Sequence, residues 1–297
     1  MAIDFLKFRK IYFVFSALLI VGSLACLVSF GLKPGIDFTG GSILELEYAT
    51  ERPVNQTIRE SLQDFGLGEF YIQPTGERGV ILRMKDIPEE THQEIIQKLA
   101  DAGEIQELSF ESIGPMIGKE LKEKTKVVIV FALFAIVLYI AFAFRKLTFP
   151  AKSWQYGVAS LVILSHDVLI PLAVFSLLGK FYGVEITIPI ITALLTVIGY
   201  AINNVVVVYD RLRENLLRVR GADFEKTTNL AINQTLTRQI NTSLTTLFPL
   251  LAIFFLGGAT LKYFSLALIL GIVAGTYSSL FLATPLLVAW LKWQKRI

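Results

Sequence analysis

The chain has one cysteine, Cys26, and two histidines, His92 and His166, among 297 residues. A lone cysteine excludes an intramolecular disulfide, so a segment facing an oxidising space must fold on its own apolar core. The two histidines fall in different compartments by the reading below, which excludes a shared imidazole ligand set, and no metal or other cofactor is expected. No nucleophile elbow or P-loop occurs. "GIDFTGGS" is glycine-rich but lacks the lysine and following helix of a phosphate site, so nucleotide binding is not expected. An enzyme is not expected either, for want of a nucleophile with a base, and no nucleic-acid partner is expected. Charge is scarce: 18% of residues are charged against 54% hydrophobic, and the mean hydropathy is +0.59. That is too apolar for a soluble domain of this length and predicts an integral membrane protein in contact with lipid.

The formal net charge of +3 hides an asymmetry. Between Pro34 and Lys124 there are 18 Asp/Glu against 9 Lys/Arg, net −9, which leaves the rest of the chain at net +12. One polypeptide thus serves two compartments. A membrane-crossing helix needs about 20 apolar residues. Six stretches approach that: Ile11–Leu32, Val127–Phe144, Gln155–Leu178, Ile186–Tyr209, Leu236–Leu256 and Phe264–Trp290. An even number puts both termini on one side. That side collects Lys7, Arg9, Lys10, Arg145, Lys146, Lys152, Arg211, Arg213, Arg218, Arg220, Lys226, Arg238, Lys292, Lys295 and Arg296, while the other short loops offer Lys180 and Lys262. The positive-inside rule then predicts cytoplasmic termini. The first stretch is too long for a signal peptide and exits through Lys33-Pro34-Gly35 without a small-x-small cleavage site, so an uncleaved anchor is expected. The expected organisation is residues 1–33 as N-terminus and first span, 34–124 as an extracytoplasmic domain, and 125–297 as the remaining spans with a cytoplasmic loop over 210–237.

The acidic segment reads as a small α+β domain. "SILELEY" alternates like a strand; "NQTIRESLQDFGLG" starts on an Asn/Thr cap and ends on glycine like a helix. "FYIQPTGERGVILRMKD" reads as a hairpin about Thr75-Gly76-Glu77, "PEETHQEIIQKLADAG" as a second helix and "IQELSFESI" as a last strand. The order β-α-β-β-α-β predicts the ferredoxin-like split βαβ arrangement, a fold that does not itself specify a function. His92 falls on the polar side of the second helix and is expected to be solvated.

Polar residues inside the apolar stretches need partners, which makes each a candidate for function. The third stretch holds His166 and Asp167, with Pro171 one turn on; the fourth holds Asn203 and Asn204. Arg238 enters the fifth, followed by Asn241, Thr242, Ser243, Thr245 and Thr246. By chemistry alone Arg238 reads as an interfacial anchor whose head reaches water. A carboxylate such as Asp167 costs a few kcal/mol at mid-membrane unless it is paired or protonated, which suits a proton relay. The asparagines do not titrate and suggest interhelical hydrogen bonds of about 1 kcal/mol each, and Gly271 with Gly275 suggests close helix packing.

Several stretches together resemble the SecF family, membrane subunits of the bacterial SecDF protein-export accessory complex and relatives of RND transporters. "KPGIDFTGGSILELEY", with Gly35, Asp37, Gly40 and Gly41, is similar to that family's signature; "HDV" is similar to its third-span pattern. "IGYAINNVVVVYDRLREN", ending on Asp210, Arg211, Arg213, Glu214 and Asn215, resembles its fourth-span motif. The resemblance implies a polytopic helical protein with six spans, one half of an RND-like unit, bearing a ferredoxin-like extracytoplasmic domain. It also implies a function: use of the proton motive force, with a SecD-like subunit beside the SecYEG channel, to assist export of unfolded preprotein. The proton-path candidates are Asp167, Asn204 and Arg238, with His166 and Asn203 as supporting groups. Asn203 matches the family's asparagine, Arg238 its fifth-span arginine, and Asn204 stands where the family has a proton-carrying Asp. An engineered neutralisation, a natural variant in which Asp167 or the SecD-like partner carries the proton, and a subunit without coupling are all compatible with that departure. Two other readings remain: half of an RND-type exporter of small molecules or lipids, and a non-coupling assembly scaffold.

Overall fold

The computed structural model describes residues 3–68, 70–143, 151–218 and 223–294. Phe144, Arg145, Lys146, Arg220, Lys295 and Arg296, used above for a span end and for the charge bias, lie outside the described residues. The chain divides into two compact units. One comprises Met1–Leu32, Ile129–Val184 and Ile188–Ile297; the other comprises Lys33–Val128 together with Glu185–Thr187.

In the smaller unit, a short helix α2 (Ile36–Thr39) leads into β1 (Gly41–Tyr48), α3 (Asn55–Ser61), β2 (Tyr71–Thr75), β3 (Gly79–Met84), α4 (Glu89–Ala100) and β4 (Ile105–Ile113). The four strands form an antiparallel sheet in the order β2-β3-β1-β4. Strand periodicity explains its core. Leu44, Leu46 and Tyr48 of β1 point to one face, opposite Leu82 and Val80 of β3, and pack under Ile58 and Leu62 from the α3 segment and Ile95 and Leu99 of α4. The first helix is shorter than its sequence suggests: after Ser61 the chain tightens into a 3-10 turn over Gln63–Phe65, and Gly66 in the left-handed region ends it.

His92 departs from expectation. It is only 3% exposed, because its ring stacks on Phe110 of β4 at 3.7 Å and 5° while Nδ1 meets Glu89 at 3.0 Å and Nε2 faces Glu107 at 3.4 Å. The helix turns this imidazole toward β4, where a flat ring covers an aromatic face that water would otherwise meet.

The larger unit contains α1 (Arg9–Phe30), α6 (Ser153–Tyr182), α7 (Ile188–Arg218), α8 (Phe224–Leu256), α9 (Ala259–Phe281) and α10 (Ala283–Trp293). A further helix, α5 (Pro115–Ala143), begins in the smaller unit, and its residues from Ile129 on belong to the larger. Among the described residues, five helical stretches are long and apolar enough to cross a membrane: Leu6–Phe30, Ser153–Tyr182, Ile188–Arg218, Phe224–Leu256 and Leu261–Trp293. The expected span Val127–Phe144 coincides with the second half of α5, where Val127, Val130, Phe131, Phe134 and Phe142 are exposed. The last expected span is interrupted at Leu282. Pro285 has no N–H to offer Phe281 four residues earlier, and its ring crowds that carbonyl, so α9 ends and α10 restarts.

The expected loop over 210–237 is mostly helical. α7 continues to Arg218 and α8 starts at Phe224, capped by Asp223, whose side chain accepts from the amides of Glu225 and Lys226. Polarity ended the apolar stretches in the sequence without ending the helices, because ion pairs of Glu214 with Arg211 and Arg218 support the exposed turns.

Candidate functional site

α6, α7, α8 and α9 pack against one another in the larger unit. The α7–α9 approach is set by small residues: a β-carbon at Gly271 would lie 2.2 Å from a methyl of Val197, and one at Gly275 would lie 3.1 Å from Ala201 Cβ. This is the close packing expected of small residues spaced four apart. It brings the polar groups of α6 and α9 together.

Asp167 is fully buried on α6. One carboxylate oxygen is 2.9 Å from His166 Nδ1, and the other accepts from Ser278 Oγ of α9 at 2.8 Å. Pro171 lies inside the same helix, so the Asp167 carbonyl, four residues earlier, loses its intrahelical donor. His166 is also buried, and its Nε2 has no hydrogen-bond partner among the described residues. Tyr277 lies next in line, 6.1 Å from the imidazole between ring centres, with its hydroxyl 3.0 Å from Ser16 Oγ. A buried carboxylate held by one hydroxyl and one imidazole is an arrangement whose protonation state decides which groups donate.

A second polar cluster joins α7, α8 and α9. Gln239 donates to the backbone carbonyl of Asn204 at 3.0 Å and accepts from Ser279 Oγ at 2.8 Å. Tyr200 donates to Ser243 at 3.1 Å, and Ser243 meets Thr276 at 2.6 Å. Asn204 is 2% exposed, and its Nδ2 finds no partner among the described residues. Sequence reasoning singled out neither Gln239 nor Ser278 and Ser279. Adjacent serines in an otherwise apolar run were the available signal.

The candidate residues therefore separate. His166 and Asp167 meet each other and α9, and Asn204 meets Gln239 through its backbone. Asn203 and Arg238 are exposed on the outer faces of α7 and α8, and among the described residues no hydrogen bond or ion pair joins Arg238 to Asn204. Exposed Thr192, Thr196, Gly199 and Asn203 share one face of α7; exposed Arg238, Asn241, Thr242 and Thr245 share one face of α8. The threonine hydroxyls bond back into their own helices, as Thr196 does to Thr192 and Thr242 to Arg238.

The remaining motif residues are structural joints. Gly40 and Gly41 both have positive φ, and a β-carbon at either would lie 2.7 Å from backbone, at Pro115 for Gly40 and at Met84 for Gly41. Gly35 is packed against the carbonyl of Ile186, and Asp37 lies in the first turn of α2. On the extension of α7, Arg211 and Asn215 both donate to Gln234 of α8 at 2.8 Å, and Arg213 lies 3.8 Å from Asp210.

Residues 92–293 match the family model for the C-terminal region of the protein export membrane proteins SecD/SecF, and residues 27–51 match the SecD/SecF GG motif. The chain is 42% identical to protein translocase subunit SecF of Thermobaculum terrenum, covering 97% of this chain and 94% of that protein. It is 37% identical to protein translocase subunit SecDF of Thermus thermophilus, over 94% of this chain but 37% of that longer protein. The crystal structure of SecDF from Thermus thermophilus, a translocon-associated membrane protein, superimposes with a TM-score of 0.85 at 35% identity, covering 98% of this chain and 39% of that one. With its membrane-length helices, this chain is a multi-pass membrane protein and belongs to the SecD/SecF family of protein export membrane proteins.

Proposed function

We propose that this chain assists export of unfolded preproteins through a SecYEG channel, acting with a SecD-like subunit and drawing on the proton motive force rather than on any enzymatic reaction. The observation that carries the reading is Asp167: a fully buried carboxylate held between His166 and Ser278 on helices of membrane length. Asn204 cannot carry a proton, and this reading assigns the proton to Asp167 in its place. Protonation would turn one of the two acceptor oxygens into an O–H donor, and the bonds to His166 and to Ser278, the second of which joins α6 to α9, would rearrange with it. The polar stripes on α7 and α8, with Arg238 and Asn203 exposed, support a second set of helices as the missing cover, since polar groups at membrane depth need protein partners. The fused SecDF relative supports a SecD-like chain as that partner.

The accompanying topology has six spans, α5 supplying the sixth, with cytoplasmic termini and the 34–124 domain outside. The strand order, with two helices over one face, supports a ferredoxin-like domain. Cysteines at Thr75 and Leu217 are expected to label from opposite faces of the membrane; labelling of both from one face removes the orientation. The functional test is preprotein export in vesicles holding this chain, a SecD-like subunit and the channel, with and without an imposed proton gradient. Asp167→Asn should abolish the gradient-stimulated part and leave gradient-independent export intact. Undiminished stimulation would move the coupling proton to the partner.

A further inference from the structure

Residues 185–187 connect α6 to α7 in sequence yet belong to the smaller, sheet-bearing unit. The reason is a clip of backbone and charge. Pro34 and Ile186 form a parallel β-bridge, in which Gly35 N–H donates to the Ile186 carbonyl at 2.8 Å and Ile186 N–H donates to the Lys33 carbonyl at 2.7 Å. Glu185 reinforces it. Its nearly buried carboxylate pairs with Arg83 of β3 and lies 3.5 Å from Lys33 Nζ; Arg83 in turn donates to Gln73 of β2 at 3.3 Å. Lys33 also sits 5.4 Å from the centre of the Tyr71 ring.

The clip has little slack. α6 ends at Tyr182, Gly183 adopts the left-handed region, and α7 begins at Ile188 directly after Thr187. The fit at Gly35 is close: a β-carbon there would lie 3.0 Å from the Ile186 carbonyl oxygen and 3.1 Å from a Thr187 methyl. The first glycine of the family signature is therefore needed for room rather than for an unusual φ. A solvated loop would absorb a shift of α7 within its own dihedrals, whereas a turn bridged to residues 33–35 and ion-paired to Arg83 passes that shift to β3.

We propose that Glu185 is a positioning residue for export: by pairing with Arg83 it makes the α6–α7 turn part of the sheet unit, so movement of the helices that carry Asp167 and Asn204 is delivered to β3. The link to movement rests on the proton-coupled reading above. The clip itself does not, so the two fail separately in the following test.

Glu185→Gln removes the charge, and Gly35→Ala wedges the bridge apart without touching the charge. Each full-length variant is reconstituted with a SecD-like subunit and the channel, and two quantities are read. The first is amide exchange at Lys33, at Gly35 and at 184–187, expected to accelerate about tenfold or more when the clip opens, with Val197–Val205 unchanged. The second is export with and without a proton gradient. Both variants should lose most of the gradient-stimulated component and keep the gradient-independent one, and a Pro34→Cys/Ile186→Cys disulfide should restore stimulation to Glu185→Gln only when oxidised. Unchanged exchange in Glu185→Gln, or full stimulation with the clip open, would overturn the proposal. If the wild-type chain itself shows no gradient stimulation, the functional reading falls and the exchange result alone decides whether Glu185 holds the clip.

Discussion

Gly271→Ala tests the packing that brings the polar groups of α6, α7 and α9 together. The added methyl would lie 2.2 and 2.4 Å from the two methyls of Val197 and 2.8 Å from its Cβ. Ordinary carbon contacts need about 3.5–4.0 Å, so α7 and α9 must separate by roughly 1.5 Å or Val197 must leave its rotamer. Val197 is fully buried, which leaves it no free volume to rotate into. Overpacking of this kind costs about 1–3 kcal/mol, against which replacing a helical glycine recovers at most about 1 kcal/mol. Val197→Ala alone should cost about 1–3 kcal/mol through lost burial and the cavity it leaves. Combined, the two changes trade volume across one contact, so the double variant should be more stable than the sum of the single effects by at least about 1 kcal/mol. Gly275→Ala is the control. Its methyl would lie 3.1 Å from Ala201 Cβ and 3.5 Å from Asp167 Oδ2, a contact that small shifts relieve. The assay is reversible unfolding of the full chain in bicelles. Strict additivity of Gly271→Ala and Val197→Ala, or a Gly275→Ala penalty larger than that of Gly271→Ala, would refute the reasoning.

Ser278→Ala removes the donor to Asp167 Oδ2 and should cost about 1–3 kcal/mol in the same assay, while Ser278→Thr, which keeps the hydroxyl, should retain most of the stability. His92→Gln gives up the stack on Phe110 and should cost about 1–2 kcal/mol, read as faster amide exchange in α4 and β4 together; a change under about 0.5 kcal/mol would return His92 to an ordinary surface role. Burial, and then the nearby Glu111 carboxylate, raise the pKa of Glu45. A raised carboxyl contributes stability below its unfolded value of about 4.3 and loses it as pH climbs through the folded value, so Glu45→Gln should stabilise the sheet unit at neutral pH and weaken its preference for acid. Thermal unfolding followed by a fluorophore at Thr75 checks this, and an unaltered pH profile would remove Glu45 as a contributor.

The sheet was legible because its information is local. In β1 the alternation of Leu44, Leu46 and Tyr48 with Ile43, Glu45 and Glu47 marks a strand with one covered face, and Gly76 at positive φ marks the turn of the hairpin. The same logic fails for His92. Polar residues surround it on α4, but the face it occupies is decided by Phe110 on β4, eighteen residues away in sequence. Membrane stretches were legible as apolar runs, and their ends were not, because α7 and α8 continue as helices after their apolar faces stop. Proline gave the break after α9 a sequence signal that a hydropathy reading alone passes over.

For the candidate site, chemistry was legible and pairing was not. Asp167 and Asn204 stood out because polar groups are costly inside apolar helices, and that argument needs no partner. Whether Arg238 faces Asn204 depends on helix rotation. One residue turns a helix by about 100°, so Arg238 lies on the outer face of α8 while its neighbour Gln239 turns inward to the Asn204 carbonyl. The same phase explains Asn203 and Asn204: adjacent amides cannot share a face, so one is buried and the other exposed. The doublet thus faces two ways at once. Asn204 looks into the chain's own bundle, where an uncharged amide beside Gln239 avoids the burial of an unpaired carboxylate. Asn203 looks outward, and under the function proposed above it and Arg238 are the polar groups offered to the helices of a SecD-like partner. An inward neutral residue and an outward polar one are what a helix needs when it is packed within its own subunit and also meets a second.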